Sequence, residues 1–241
     1  MNNEYYKKTI DYYNRIGNLC GVYSKYPFLI EGFKFYKDID RHFNEIIKLA
    51  KISNGMNVLE AGCGFGGVLK NLQRLSPHNN YTGITIVEKH IIKKQFKNIF
   101  LMNYDKTKFK DSTFDRILFI ESFSHSYNKL KTLKEMHRIL KKDGIVFILD
   151  LSITNNDYRG FFNLNNRKKY KDHINFFGDK PVCSDFIEKV AKRGDFNIVS
   201  FKENVFNDCD IEDSFLNKFV EKIILIKKLS TFYNYYILKK L

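Results

Sequence analysis

Apolar residues along the chain change their period at a clear point. Phe33, Tyr36, Ile39, Phe43, Ile46, Ile47 and Ala50 recur at spacings of three and four, the stripe of an amphipathic helix. Asn54-Gly55 ends it, since glycine tolerates the left-handed backbone of a helix end. Short apolar runs then alternate with helical stretches. MNVLEAG (56–62), YTGITI (81–86), NIFLM (98–102), FDRILFI (114–120) and GIVFILDL (144–151) read as five strands. Between them, GVLKNLQRL (67–75) and LKTLKEMHRIL (130–140) read as helices, and a further helical stretch runs to about residue 97. Ser76-Pro77 and Lys142-Asp143-Gly144 stop the first two. The RILFI and IVFIL runs are apolar throughout, as suits strands covered on both faces of a parallel sheet. Strand–helix alternation at this spacing predicts right-handed βαβ units in a doubly wound sheet.

The rhythm breaks at residues 152–182, a polar and aromatic insert. A helix at 183–193 ends at Gly194, FNIVSF (196–201) is a sixth strand, a second insert covers about 205–230, and YNYYIL (233–238) is a seventh strand. The pattern therefore predicts an α/β fold with a doubly wound, seven-stranded, mostly parallel sheet closed by an antiparallel hairpin. Residues 1–50 form an N-terminal helical lid and residues 51–241 a core, with inserts after strands five and six.

The chemistry concentrates where the first strand meets the first helix of the core. In VLEAGCGFGG (58–67) an apolar strand runs into Glu60, Gly62, Cys63, Gly64 and Gly66, and a helix follows. Glycines let the backbone turn sharply and let a ligand touch main-chain atoms. The helix N-terminus offers free N–H groups to an anion, and ligands of open α/β sheets sit at this end of the strands. Gly62, Gly64 and Gly67 also satisfy the dinucleotide pattern GxGxxG. However, the ribose-binding acid expected about 20 residues on is absent, and Thr85 stands at that strand end.

Composition narrows the partners. Net charge is +14, from 41 basic and 27 acidic residues. The lysines are spread along the chain, and the wealth of Lys, Asn, Ile, Phe and Tyr without Trp is the bias of an AT-rich genome, so a solvated surface is favoured over nucleic-acid binding. Four scattered cysteines with no CxxC pair argue for reduced thiols and against zinc. No stretch reaches the roughly 18 apolar residues of a membrane span. The first residues carry no apolar run, so no signal peptide and a cytoplasmic location are expected.

VLEAGCGFGG closely resembles motif I of class I S-adenosylmethionine (SAM)-dependent methyltransferases. YTGITIVEKHI (81–91) is similar to the second motif of the small-molecule branch, which includes sterol, tocopherol, cyclopropane fatty acid and natural-product O- and C-methyltransferases. FKDSTFDRILFIESFSHSYNK (109–129) and LKEMHRILKKDGIVFILDL (133–151) resemble the next two blocks of that branch. The resemblance implies SAM as cofactor and S-adenosylhomocysteine as product. It places the methionine part on Glu60, Gly62, Cys63, Gly64 and Gly66, with Glu121 near the cofactor. The ribose falls to Thr85 and Ile86, with His90 in the place of a glutamine. The adenine falls to Asn103, in the place of an acid, and to Tyr104, with Asp105 the substitute under a shifted register. An asparagine carbonyl can accept the same amino-group hydrogen bond.

On the acceptor side, His125 matches a histidine proposed as base in similar O-methyltransferases, and Asp150, ending strand five, is the partner expected to orient it or the acceptor. A neutral imidazole takes a hydroxyl proton near pH 7. Tyr12, Tyr13, Tyr23 and Tyr26 resemble the lid of this branch, and Tyr23, Phe161, Phe162 and Phe176 are substrate-pocket candidates that imply a partly apolar acceptor. The expectation is a metal-independent O-methyltransferase of a small molecule. C- or N-methylation of a lipid, terpenoid or phosphoamine, an RNA methyltransferase, and a non-catalytic SAM-binding protein are the alternatives. The oligomeric state, a homodimer included, stays open.

Overall fold

The computed structural model describes residues 3–16, 39–94, 96–155, 180, 183–203 and 231–241. Its centre is a seven-stranded sheet of β1 (Asn57–Ala61), β2 (Asn80–Thr85), β3 (Ile99–Leu101), β4 (Phe114–Ile120), β5 (Leu140–Ile153), β6 (Phe196–Lys202) and β7 (Thr231–Lys240). The spatial order is β3-β2-β1-β4-β5-β7-β6. The first five strands are parallel, and β7 runs antiparallel between β5 and β6. The chain order reverses between β1 and β4, so the crevice opens at the C-terminal ends of those two strands.

Continuous apolar runs give the sheet its two covered faces. Side chains alternate across a strand, so Val58, Leu118, Phe147 and Leu149 pack with Phe43 and Ile46 of α2 (Ile39–Leu49) and Leu69 and Leu72 of α3 (Gly67–Leu75). Leu59, Ile117, Phe119, Val146 and Ile148 face the other way, onto α5 (Lys129–Ile139) and α6 (Ser184–Arg193). Each such side chain, fully buried, contributes about 1.5–3 kcal/mol. The remaining helices are α1 (Asn3–Ile16) and α4 (Glu88–Ile92).

Two elements differ from the sequence pattern. The helix expected to reach about residue 97 stops at Ile92. Lys93 and Lys94 are exposed and offer the core nothing to bury, and Phe96 instead turns in against the core around β3. Strand β5 is longer at both ends than 144–151. At its start Leu140 pairs with Phe114, and Asp143 takes a left-handed φ of 62° where a loop was expected, with a register shift opposite between Phe114 and Arg116. At its end Ile153 pairs with Thr231 of β7. Most of both inserts, and Tyr23, Tyr26, Phe161, Phe162 and Phe176, lie outside the described residues.

Candidate active site

The crevice begins with Glu60, one residue before the end of β1. Its side chain is buried, and it accepts a hydrogen bond from the Leu69 N–H in the first turn of α3. The other oxygen, Oε2, has no hydrogen-bond partner among the described residues. Burial pushes the carboxyl up to about 8, because the charged form lacks both water and a cation. After Ala61 the backbone turns back on itself, and the N–H groups of Gly62 and Cys63 both donate to the Ile84 carbonyl, at 2.9 and 3.0 Å.

The glycines of this turn have different tasks. A Cβ on Gly62 would lie 2.5 Å from Ser122 Cβ, so this residue lets β1 pass the loop after β4. Gly64 has φ 53°, and a Cβ there would meet nothing within 4 Å. Its bare backbone forms part of the cleft wall. Gly66 has φ 86°, and a Cβ would sit 2.5 Å from Ile99 Cδ1 and 2.8 Å from Phe96 Cβ. It therefore packs α3 against β3 and is not part of the cleft wall, unlike the cofactor contact expected from the motif. Cys63 lines the cleft, but burial and the nearby Glu60 push its thiol up, so it is no thiolate nucleophile.

At the end of β2, Thr85 Oγ1 accepts from the Val87 N–H at 3.3 Å and shares a 3.0 Å hydrogen bond with His90 Nδ1. Burial lowers His90 to about 4, so the ring is neutral at pH 7. It leans on Phe65, centroid to centroid 4.4 Å. Thr85, Ile86, Val87 and His90 all line the cleft, as does Tyr104, whose hydroxyl donates to the Ser122 carbonyl at 3.2 Å. Asn103 does not line it. Its Oδ1 accepts from the Asp105 N–H at 2.7 Å and so shapes the loop after β3. Asp105 is also engaged, accepting from the Tyr6 hydroxyl of α1 and the Thr132 hydroxyl of α5.

The opposite wall follows β4. Glu121 has φ 52° and lines the cleft, and its N–H donates to the Leu149 carbonyl at 2.8 Å. A short 3₁₀ turn, Phe123–His125, comes next. Asp150 Oδ2 accepts from the Ser124 N–H at 2.8 Å, and the buried Lys129 donates to the Ser124 and Ser126 carbonyls, each at 2.7 Å. Asp150 thus fixes the turn that carries His125 and is not on the cleft wall itself. His125 is buried, and its Nε2 shares a 2.9 Å hydrogen bond with the Tyr13 hydroxyl of α1. The Tyr13 ring lies 5.4 Å from His125 and 5.5 Å from His90, edge to face with both.

Together the residues on these walls line one cleft at the ends of β1, β2 and β4, with Thr9 and Tyr13 of α1 beside it. Thr9, Tyr13, Phe65 and Ser122 also line it; Tyr13 was expected only as a lid residue and Ser122 only as part of the loop after β4, and Thr9 and Phe65 were not singled out from sequence. Only the Tyr12–Tyr13 pair carried a signal, as an aromatic step in a helix ahead of the core. Among the described residues no group of three His, Cys, Asp or Glu side chains is placed to hold a metal, and no helix is long and apolar enough to cross a membrane.

The residues present fit SAM. A buried carboxylate oxygen without a partner suits the methionine ammonium, the open Gly64 backbone and the N-terminus of α3 suit its carboxylate, and the Thr85–His90 pair offers hydrogen bonds to ribose hydroxyls.

Comparison with known proteins agrees. The methyltransferase domain family matches residues 59–148, from β1 into β5. An uncharacterized protein of Methanocaldococcus jannaschii is 32% identical over 219 residues, covering 81% of this chain and 83% of its own. Sterol 4-C-methyltransferase strm-1 of Caenorhabditis elegans is 28% identical over 193 residues, 74% of this chain and 55% of the relative. The chain spans about half the length of that curated relative. Among solved structures, the [4+2]-cyclase SpnF superposes with a TM-score of 0.71 at 14% identity, over 95% of this chain and 93% of its own, which establishes the fold alone. With the glycine turn, the orphaned acid at the end of β1 and the family match along the same strands, the chain belongs to the class I SAM-dependent methyltransferases.

Proposed function

We propose that this chain methylates a hydroxyl of a small, partly apolar acceptor, with His125 as general base. The observation that carries the proposal is the Tyr13–His125 hydrogen bond at 2.9 Å on the wall opposite Glu60. SAM, which Glu60, the Gly64 backbone and the Thr85–His90 pair would hold, would supply an electrophilic methyl group on its sulfonium. His125 takes the hydroxyl proton. Asp150 and Lys129 hold the 3₁₀ turn, and so the imidazole, in a fixed position. Tyr13 occupies one ring nitrogen until the acceptor arrives, and then reorients with α1. In this reading residues 1–50 act as the lid, drying the site. Tyr13, Phe65, Tyr104 and Ile120 supply apolar surface to the cleft. Buried, reduced Cys63 and Cys183 suit a cytoplasmic enzyme.

C-methylation is the second reading, favoured by the sterol C-methyltransferase relative, with His125 removing a proton from carbon instead. The SpnF neighbour, named a cyclase, is a reminder that this fold hosts other reactions. The test is a screen of alcohols, phenols and sterols for SAM-dependent methyl transfer, followed by His125→Ala and Tyr13→Phe. His125→Ala should lower kcat by about 10²–10⁴-fold with S-adenosylhomocysteine affinity unchanged by calorimetry, and Tyr13→Phe should lower it less. Full turnover by His125→Ala on an O-acceptor would reject the base assignment.

A further inference from the structure

The free edge of the sheet carries an apolar cluster that the cleft does not use. Strand β3 ends the sheet, paired only with β2 among the described residues. On it Phe100 and Leu101 are 48% and 55% exposed, and Ile92, the last residue of α4, is 76% exposed. Ile99 packs into the core beneath α4, so Leu101, two residues on, shares the face of Ile92. Phe100, between Ile99 and Leu101, lies on the other face of the same edge strand, so Ile92 and Leu101 on one face and Phe100 on the other hold large apolar side chains out in water along this edge, which marks an interaction surface.

The charge around them selects the partner. Lys93, Lys94 and Lys97 precede β3 and Lys106, Lys108 and Lys110 follow it, all exposed. Between residues 88 and 110 the only exposed acid is Glu88. A second copy docked edge to edge about a twofold axis would set these lysines against themselves. Of the three only Phe100 has a face on which a nucleic-acid base can stack, and the two more exposed prongs, Ile92 and Leu101, are aliphatic. A three-residue edge strand offers few backbone groups for strand addition by a protein. Protruding aliphatic and aromatic side chains ringed by lysines match an anionic bilayer, which takes the apolar groups below its headgroups and pairs its phosphates with the ammonium groups. We propose that the α4–β3 edge docks this protein on anionic membrane surfaces through Ile92, Phe100 and Leu101, with Lys93, Lys94 and Lys97 as the electrostatic rim. The proposal goes beyond the methyl-transfer reading and does not depend on it.

The test is flotation of the full chain with vesicles of phosphatidylcholine alone or with about 30 mol% phosphatidylserine. The chain should float with the anionic vesicles only, and less so at high salt. Ile92→Asp and the double variant Lys93→Glu/Lys94→Glu should each lower partitioning by about thirtyfold, with far-UV circular dichroism unchanged because all three side chains are exposed. The chain has no tryptophan, so Ile92→Trp provides a single reporter whose emission should shift to the blue on anionic vesicles. Absence of flotation would overturn the proposal, as would flotation untouched by either charge-altering variant. A doubling of mass in vesicle-free sedimentation that Ile92→Asp abolishes would replace the bilayer with a second copy.

Discussion

The two walls of the cleft are built in opposite ways. The cofactor wall comes from one run of chain, Glu60 to Val68, and the adjacent end of β2, positioned by backbone hydrogen bonds such as Gly62 N–H to Ile84 O. The wall around His125, proposed for the acceptor, is assembled from distant pieces. Tyr13 reaches His125 across 112 residues, and Asp150 reaches Ser124 across 26. A wall made of main chain keeps its shape under most side-chain changes, whereas a wall made of side-chain contacts loses geometry with each one removed. Substitutions should therefore separate binding from turnover.

The sharpest separation is expected at Gly64. Its Cβ would meet nothing within 4 Å, so Gly64→Arg should cost only the roughly 1–2 kcal/mol of its left-handed backbone, should fold, and should yet lose SAM affinity by more than about 100-fold, since a side chain would fill the space where the ligand meets backbone. Calorimetry with S-adenosylhomocysteine measures this directly. Two residues on, Gly66→Ala should do the reverse. Left-handed backbone and the clash with Ile99 and Phe96 should cost about 3 kcal/mol of stability, read as a lowered denaturation midpoint. If both glycines behaved alike, the division of labour within the turn would be wrong.

Behind the turn that carries His125, Asp150→Ala strips the Ser124 N–H of its partner, a loss of about 1–3 kcal/mol locally. Turnover should fall about tenfold through a loosened His125, while SAM affinity stays within about twofold because Asp150 is not on the cleft wall. A parallel loss of SAM affinity would show that the walls are coupled.

The smallest change, a single proton, concerns Glu60. Glu60 sits near 8 in the empty site and at 4.5 when unperturbed. The folded value is the higher, so the empty protein holds a proton there that the unfolded chain releases, and its stability falls as pH rises from 4.5 to 8. A bound ammonium requires the carboxylate, so SAM binding should release close to one proton at pH 7, and affinity should rise by up to about tenfold per pH unit until pH 8. Calorimetry in two buffers of different ionisation enthalpy counts the proton, and Glu60→Gln should abolish the count.

How far each wall could be read from sequence follows from this contrast. The glycine turn, Glu60, Thr85 and His90 are close in sequence and bear local signatures, so the motif pointed to them and the structure lines them along the cleft. Asn103 and Asp150 were assigned by position in a motif, yet their carboxamide and carboxylate are turned onto backbone N–H groups of neighbouring loops. Periodicity cannot tell which of two nearby acceptors a loop will use. Tyr13 was expected only as one aromatic of a lid, without a partner, because its contact with His125 is set by what lies opposite after folding.

The sequence by itself determined the strands, their parallel order through βαβ units and the site of the glycine turn, because these depend on short-range periodicity and on the backbone freedom of single residues. Only the tertiary structure decided which glycine faces ligand and which faces Phe96, that Asp105 ties α1 to α5, and that Tyr13 meets His125. Those outcomes depend on contacts between segments far apart in the chain, whose geometry exists only once the sheet has brought them together.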